Sequence, residues 1–287
     1  MFQTIGITCK REVDDAKHFE ELINFLLKEG KQVMLSSHAR DNLGEKFADL
    51  PLINYAKAFD LLIAYGGDGT ILRAARNIKH KQTSILGINA GQLGFLASLP
   101  RIGWKTELMK IFEGHFKQAL KTQLKVVLSR KGKRVFTKKV LNDMVISYKN
   151  VARLVNIDTK INTEELCTYK ADGLIIATPT GSTAYNLAAG GPILYPSLSA
   201  MIITPICSHS LTQKPIVIPG EKVLHFSFED NDEMLSLTLD GQQGFEIGNE
   251  DKVTVTMMDY PLTFIKPENE SFFKTIREKL GWGKNLR

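Results

Sequence analysis

The chain changes its pattern near residue 118, and that change constrains its fold more than any single motif does. Up to that point apolar runs and helical periodicities alternate. Residues 4–9 read as a strand. Residues 14–29 read as a helix, with Phe19, Leu22, Ile23, Leu26 and Leu27 on one face and Gly30 as a stop. Residues 32–35, 61–65 and 84–89 read as further strands, and a helix carrying Leu108, Ile111, Phe112 and Phe116 closes the series. Strands separated by helices imply a parallel sheet, with ligands at the carboxyl ends of its strands. After 118, strand-like runs follow one another at 124–129, 135–139, 140–147, 174–177, 223–228, 235–239, 253–257 and 262–265. Lys131-Gly132-Lys133 and Asp230-Asn231-Asp232-Glu233 supply hairpin turns. One helix is inserted over about 182–188, and the tail over 271–280 is helical again. The expected fold is an α/β N-terminal domain with a parallel sheet, residues 1–118, joined by the tail 270–287. A β-rich, sandwich-like C-terminal domain over 119–269 follows it.

Composition narrows the function classes. At 287 residues the chain is long enough for one large or two medium domains, and 43% hydrophobic with 24% charged residues is ordinary for a soluble globular protein. The net charge of +6 comes from scattered lysines and arginines with only short clusters such as Lys131-Gly132-Lys133-Arg134, so no nucleic-acid stripe is expected. Cys9, Cys167 and Cys207 are far apart and lack metal-ligand spacing, which suits a reducing compartment. The N-terminus reads as a first strand rather than a signal peptide, and no apolar run reaches membrane-spanning length. The expectation is a cytoplasmic protein with no membrane and no nucleic-acid partner.

Gly66-Gly67-Asp68-Gly69-Thr70 lies between the apolar run 61–64 and a helical stretch from Ile71. Glycines let the backbone bend and come close, and the first amides of a helix have no intrahelical partner, so Gly66, Gly67, Gly69 and Thr70 are candidate phosphate binders. Asp68 does not suit a pure phosphate cradle, because phosphates repel a carboxylate; it points to proton or metal handling. The turn is not a Walker A loop, since no GxxxxGK[ST] occurs in the chain. Nor is it a dinucleotide fingerprint, since Leu72 stands where a third glycine belongs. The competing structural reading is a tight turn with Asp68 as a cap.

Two further segments carry chemistry. In the first, strand residues 174–177 run into Thr178-Pro179-Thr180-Gly181-Ser182-Thr183-Ala184-Tyr185, so that Gly181, Ser182 and Thr183 can offer hydroxyls and amides at a helix start. Tyr185 suits stacking on a planar ring and equally suits a core position. The second is Asn142-Asp143, ahead of an apolar strand. A carboxamide can both donate to and accept from an adenine edge, and a carboxylate can accept from a ribose hydroxyl. Read alone, Asn-Asp is a turn.

Taken together these segments resemble the NAD kinase family. The resemblance rests on Gly66-Gly67-Asp68-Gly69-Thr70, Asn142-Asp143, and the run from Thr178 to Tyr185 closing in Gly190-Gly191-Pro192. It is supported by Asn89-x-Gly91-x-Leu93-Gly94-Phe95-Leu96 and by Thr204-Pro205-Ile206-Cys207-Ser208-His209-Ser210-Leu211, and it spans nearly the whole chain. It implies phosphoryl transfer from ATP, or another donor such as polyphosphate, to the 2′-hydroxyl of the adenosine ribose of NAD. It also implies a divalent cation, usually Mg2+, and a homo-oligomer, tetramer or dimer. By resemblance Asp68 matches the general base and an NAD contact, with Gly69 in the same turn. Asn142, Asp143, Arg153, Lys170, Asp172, Thr183, Ala184, Tyr185, Asn186, Leu187, Ala188, Asp240 and Gln242 match NAD-binding positions. Metal ligands are not assigned. Asp143 stands where many relatives carry Glu, and Lys170 where some carry Arg, which would fork where lysine cannot.

Two other classes compete. A lipid kinase sharing the glycine turn would not need Asn142-Asp143 or the 178–185 segment. A silent dinucleotide sensor would keep those residues and dispense with Asp68.

Overall fold

The computed structural model describes residues 2–90, 94–148, 154–228 and 234–283. They form two compact units, Met1–Leu120 with Leu262–Arg287, and Lys121–Pro261.

The first unit runs β1 (Thr4–Cys9), α1 (Ala16–Lys28), β2 (Gln32–Leu35), α2 (Ser37–Leu43), β3 (Leu61–Tyr65), α3 (Asp68–Asn77), β4 (Ser84–Ile88), α4 (Trp104–Glu113) and β5 (Lys117–Lys121). The second unit contains β6 (Leu124–Arg130), β7 (Lys133–Val140), β8 (Asp143–Tyr148), β9 (Val155–Ile161), β10 (Glu164–Ala171) and β11 (Gly173–Ala177). A 3-10 turn over Gly181–Thr183 leads into α5 (Tyr185–Ala188). Then come β12 (Ala200–Ile206), β13 (Ile216–Pro219), β14 (Leu224–Ser227), β15 (Leu235–Leu239), β16 (Gln243–Ile247) and β17 (Asp251–Met257). The chain returns to the first unit as β18 (Leu262–Lys266) and α6 (Phe272–Leu280).

In the first unit one six-stranded sheet is ordered β2-β1-β3-β4-β18-β5, and its first five members pair in parallel. β3 and β4 are buried at every residue, as expected of strands covered on both faces. Helix α1 begins where the Asp15 carboxylate accepts the His18 amide, and it turns Phe19, Leu22, Ile23 and Leu26 into the core. The run at 262–265, expected in the β-rich domain, instead supplies β18 between β4 and β5. Its partner strand lies far away in sequence, which local patterning does not reveal.

The second unit is a sandwich of two six-stranded antiparallel sheets, ordered β10-β9-β14-β17-β6-β7 and β13-β12-β11-β8-β15-β16. Alternate residues of both sheets, among them Val126, Val255 and Phe226 from one and Met144, Ile146 and Leu237 from the other, share one core. The sequence pattern suggested one strand over 140–147. The structure breaks it: β7 ends at Val140 as an edge of one sheet, and β8 starts at Asp143 inside the other. Asn142 sits at that crossing. Asp172 occupies the equivalent crossing from β10 to β11. The turn expected at Asp230–Glu233 lies outside the described residues.

Candidate active site

The glycine turn follows β3 and opens α3, with Gly67 as the capping residue and Asp68 first in the helix. Gly66 cannot carry a side chain: a Cβ there would collide with the Thr70 hydroxyl. Thr70 is buried beneath it, and its amide donates to the Gly67 carbonyl at 2.9 Å. Thr70, expected to bind phosphate, therefore shapes the turn from below. Gly67 and Gly69 are exposed.

Asp68 is partly buried, and its carboxylate accepts the Phe95 amide at 2.8 Å and the Leu96 amide at 3.1 Å. The backbone of Gly94 lies so close to this carboxylate that a Cβ at 94 would collide with it. An ionised carboxylate has about four lone-pair sites, so two amides leave room for a further donor such as a hydroxyl. The side chain thus ties the turn to the segment after β4. Residues 91–93, including Gly91 and Leu93, lie outside the described residues.

A second set of residues gathers on the outer face of the β13–β16 sheet. On β8, Met144 and Ile146 point into the sandwich, so Asp143, Val145 and Ser147 point the other way. With Thr238 of β15 they floor a cavity of about 420 Å³ whose remaining wall is Asn142, Ala184, Tyr185, Asp240 and Gly241. That volume lies within the roughly 300–1,000 Å³ of small-ligand sites. Asn142 lines the cavity, and its Oδ1 is buried without a hydrogen-bond partner, so the fold does not use up the carboxamide's hydrogen-bonding capacity. The ring of Tyr185 is 48% exposed at the rim, which places it for stacking and not in the core.

The loop before α5 is braced internally. Thr178 Oγ1 donates to the Leu141 carbonyl at 2.6 Å, and the Thr178 amide donates to the Asn142 carbonyl at 2.8 Å. Gly181 packs on the Asn142 backbone, where a Cβ would collide. Ser182 Oγ donates to the Pro179 carbonyl at 2.6 Å and accepts the Leu194 amide at 3.0 Å, and Thr183 Oγ1 donates to the Thr180 carbonyl at 3.3 Å. The hydroxyls of Ser182 and Thr183, expected to face a ligand, are engaged in the loop itself. Asn186 is fully buried: it donates to the carbonyls of Ser182 at 3.0 Å and Pro192 at 3.1 Å, and accepts from Thr204 Oγ1 at 2.7 Å. Its carboxamide holds the loop instead of facing the cavity. Leu187 is partly buried and Ala188 exposed.

Asp240 lines the cavity and also braces the backbone beside it. It follows β15 at a backbone φ of +51°, and its carboxylate accepts from the amides of Leu141 at 3.1 Å, Asn142 at 2.8 Å and Asp143 at 3.4 Å. Asp143, 5% exposed, is pushed up to about 7 from the ordinary carboxylate value by burial, and further by the negative charge of Asp240. Gln242 is exposed in the same turn. Lys170 and Asp172 are exposed at the opposite end of β11 from Ala177, the residue paired with Asp143. Arg153 lies outside the described residues. Val145, Ser147, Thr238 and Gly241 were not singled out from the sequence. Strand alternation alone would have selected 145 and 147, whereas 238 and 241 needed the β8–β15 pairing. Among the described residues no three His, Cys, Asp or Glu side chains converge to hold a metal ion. No helix of the described residues is long and apolar enough to cross a membrane.

Residues 5–116 match the family model for the ATP-NAD kinase N-terminal domain, and residues 141–267 match that for the ATP-NAD kinase C-terminal domain. The chain belongs to the NAD kinase family. An NAD kinase from Geotalea daltonii is 36% identical over 92% of this chain and 93% of its own length. One from Geobacter sulfurreducens is 38% identical over 92% of each. The crystal structure of yeast NADH kinase complexed with NADH superposes with a TM-score of 0.86 at 26% identity, covering 100% of this chain and 89% of that one. The NAD kinase fold, an α/β domain with parallel strands followed by an antiparallel β-rich domain, is therefore shared across most of the length.

Proposed function

We propose that the chain transfers the γ-phosphoryl group of ATP to the 2′-hydroxyl of the adenosine ribose of NAD, producing NADP. The observation that carries the site assignment is a cavity walled by Asn142 and Asp143 and rimmed by the half-exposed Tyr185. A carboxamide there suits an adenine edge, and an aromatic ring beside it suits the base's face. Asp68 accepts the proton of the attacking hydroxyl. Phosphoryl transfer depends mostly on positioning and charge neutralisation, so the exposed backbone at Gly67 and Gly69 carries the phosphate-binding part, while the amide of Gly66, expected to join them, donates to the Ile88 carbonyl at 2.9 Å. The divalent cation, Mg2+, enters as part of the metal–ATP substrate.

Self-association belongs to the same reading. Lys170 and Asp172 lie beyond Gly173, which is itself about 14 Å from Ala177 by four rises of about 3.4 Å along β11, whereas Asn142 and Asp143 lie beside Ala177. If all four serve one dinucleotide, a second copy of the chain supplies Lys170 and Asp172 to complete the site, as a homodimer or homotetramer. A fully active monomer in light scattering under assay conditions would remove this part.

The decisive assay combines the purified protein with ATP, Mg2+ and NAD and reads product with an NADP-specific dehydrogenase. Signal supports the reading. Silence with tight NAD binding makes the chain a dinucleotide sensor, and silence with lipid phosphorylation makes it a lipid kinase.

A further inference from the structure

We propose that Asp240 is a positioning residue of the dinucleotide cavity: its carboxylate fixes the Leu141–Asp143 backbone so that Asn142 and Asp143 face the ligand, and its charge keeps Asp143 a hydrogen-bond donor. This rests on reading the cavity as the site of NAD's adenosine half.

The geometry is that of a clamp. Three successive amides, those of Leu141, Asn142 and Asp143, converge on one carboxylate, with Leu141 N within 3.1 and 3.2 Å of its two oxygens. The Asp240 amide returns a hydrogen bond to the Asp143 carbonyl at 2.9 Å. Successive amides around one oxygen form an anion-holding concavity, and here a side chain nearly 100 residues away fills it. The β8–β15 ladder has reached its last pair, Leu239 with Met144, so beyond that point the strand end is held by the Asp240 side chain. Aspartate tolerates the left-handed backbone that this turn requires.

The same residue sets the chemistry of Asp143. Asp143 is met by Asp240 from the β15–β16 turn, and Tyr185 of α5 lines the same cavity. Its own strand adds Val145 and Ser147, and β11 adds Ala177 as its pairing neighbour. Among the described residues the cavity lining holds no lysine, arginine or histidine. Ionising Asp143 would place a second negative charge beside Asp240 at a buried position, so burial and like charge both keep its proton on. A neutral carboxyl donates one hydrogen bond, to a ribose oxygen or a ring nitrogen. The ionised form can only accept, and it repels a phosphate-bearing ligand.

The test is calorimetric NAD binding to the full-length protein between about pH 5.5 and 8.5, for the native chain, Asp143→Asn and Asp240→Asn. For the native chain, affinity is expected to fall at least about fivefold as pH rises. Asp143→Asn, which keeps a neutral donor at every pH, should be flat within about twofold. Asp240→Asn keeps an acceptor for the amides and removes the charge. It should raise the KM for NAD roughly tenfold at neutral pH, leave kcat within about threefold, and move the midpoint of the binding profile to lower pH. A pH-independent native affinity, an Asp240→Asn profile like the native one, or a loss in kcat without a change in KM would each overturn the proposal. Should Asp240→Asn fail to fold, the native and Asp143→Asn profiles decide alone. Absence of NAD binding at every pH would sink the reading of the cavity itself, whereas tight binding with a flat profile sinks only the part assigned to Asp240.

Discussion

At the scale of single residues, Asp68 has two roles that one substitution separates. Its carboxylate already holds the Phe95 and Leu96 amides, so a variant that loses shape would confound base with brace. Asp68→Asn keeps one oxygen for those amides and removes the proton acceptor. The expected outcome is a kcat lowered by about 10²–10⁴-fold with NAD binding unchanged, measured by the coupled assay and by calorimetry. Near-native turnover would leave Asp68 as a brace only. Asp143 makes a second prediction, this time about stability. Its carboxyl is raised to about 7 in the folded chain from the ordinary 3.8, so between these values the folded state holds a proton that the unfolded state has lost. The sign follows: the contribution is full below about pH 4 and is lost as pH rises to about 7. Urea unfolding at a series of pH values should show native stability, relative to Asp143→Asn, falling across that window and level above it. A constant difference would show that Asp143 is ionised in the folded chain.

At the scale of elements, the loop from Thr178 to Gly191 is held to the sheet by its own polar side chains. Asn186 is its central brace, binding Ser182, Pro192 and Thr204 at once. Asn186→Ala leaves the fully buried Thr204 hydroxyl and two carbonyls without this partner, and each buried unsatisfied group costs about 1–3 kcal/mol. The expected result is a lower Tm together with weaker NAD binding, because Tyr185 rides on this loop. Unchanged stability with weaker binding would instead make Asn186 a ligand contact. This element also shows where sequence reading stops. The order strand, polar turn, helix start was legible, because residue types report local backbone preference. What the hydroxyls of Ser182 and Thr183 bind was not, because their partners are backbone carbonyls set by the folded loop. Asp240 is the sharper case. In the turn Leu239-Asp240-Gly241-Gln242 it matches an NAD-binding position by resemblance, and only the pairing of β15 with β8 brings the Leu141–Asp143 amides onto it.

At the scale of the whole molecule, the alternation of strands and helices before residue 118 and the succession of strands after it were written in periodicity, and the structure has both patterns. The closure of the first sheet was not, because β18 pairs with β4 across most of the chain and nothing local in 262–265 marks it as parallel. That closure has a mechanical consequence. The second unit, Lys121–Pro261, is one continuous segment with its own two-sheet core, whereas the first needs both ends of the chain. Leu262, Phe264 and Ile265 are each at most 1% exposed. Burying three such side chains contributes roughly 5–9 kcal/mol at about 1.5–3 each, comparable with the entire net stability of a domain at about 5–15 kcal/mol. Residues 121–261 expressed alone should therefore give a dispersed amide NMR spectrum and a cooperative thermal transition. Residues 1–120 alone should give neither, since β5 has lost the strand between it and β4. Adding a peptide of residues 262–287 to the 1–120 fragment should restore dispersion, with β18 entering the gap. A fragment 1–120 that folds cooperatively without the peptide would show that the sheet closes without β18.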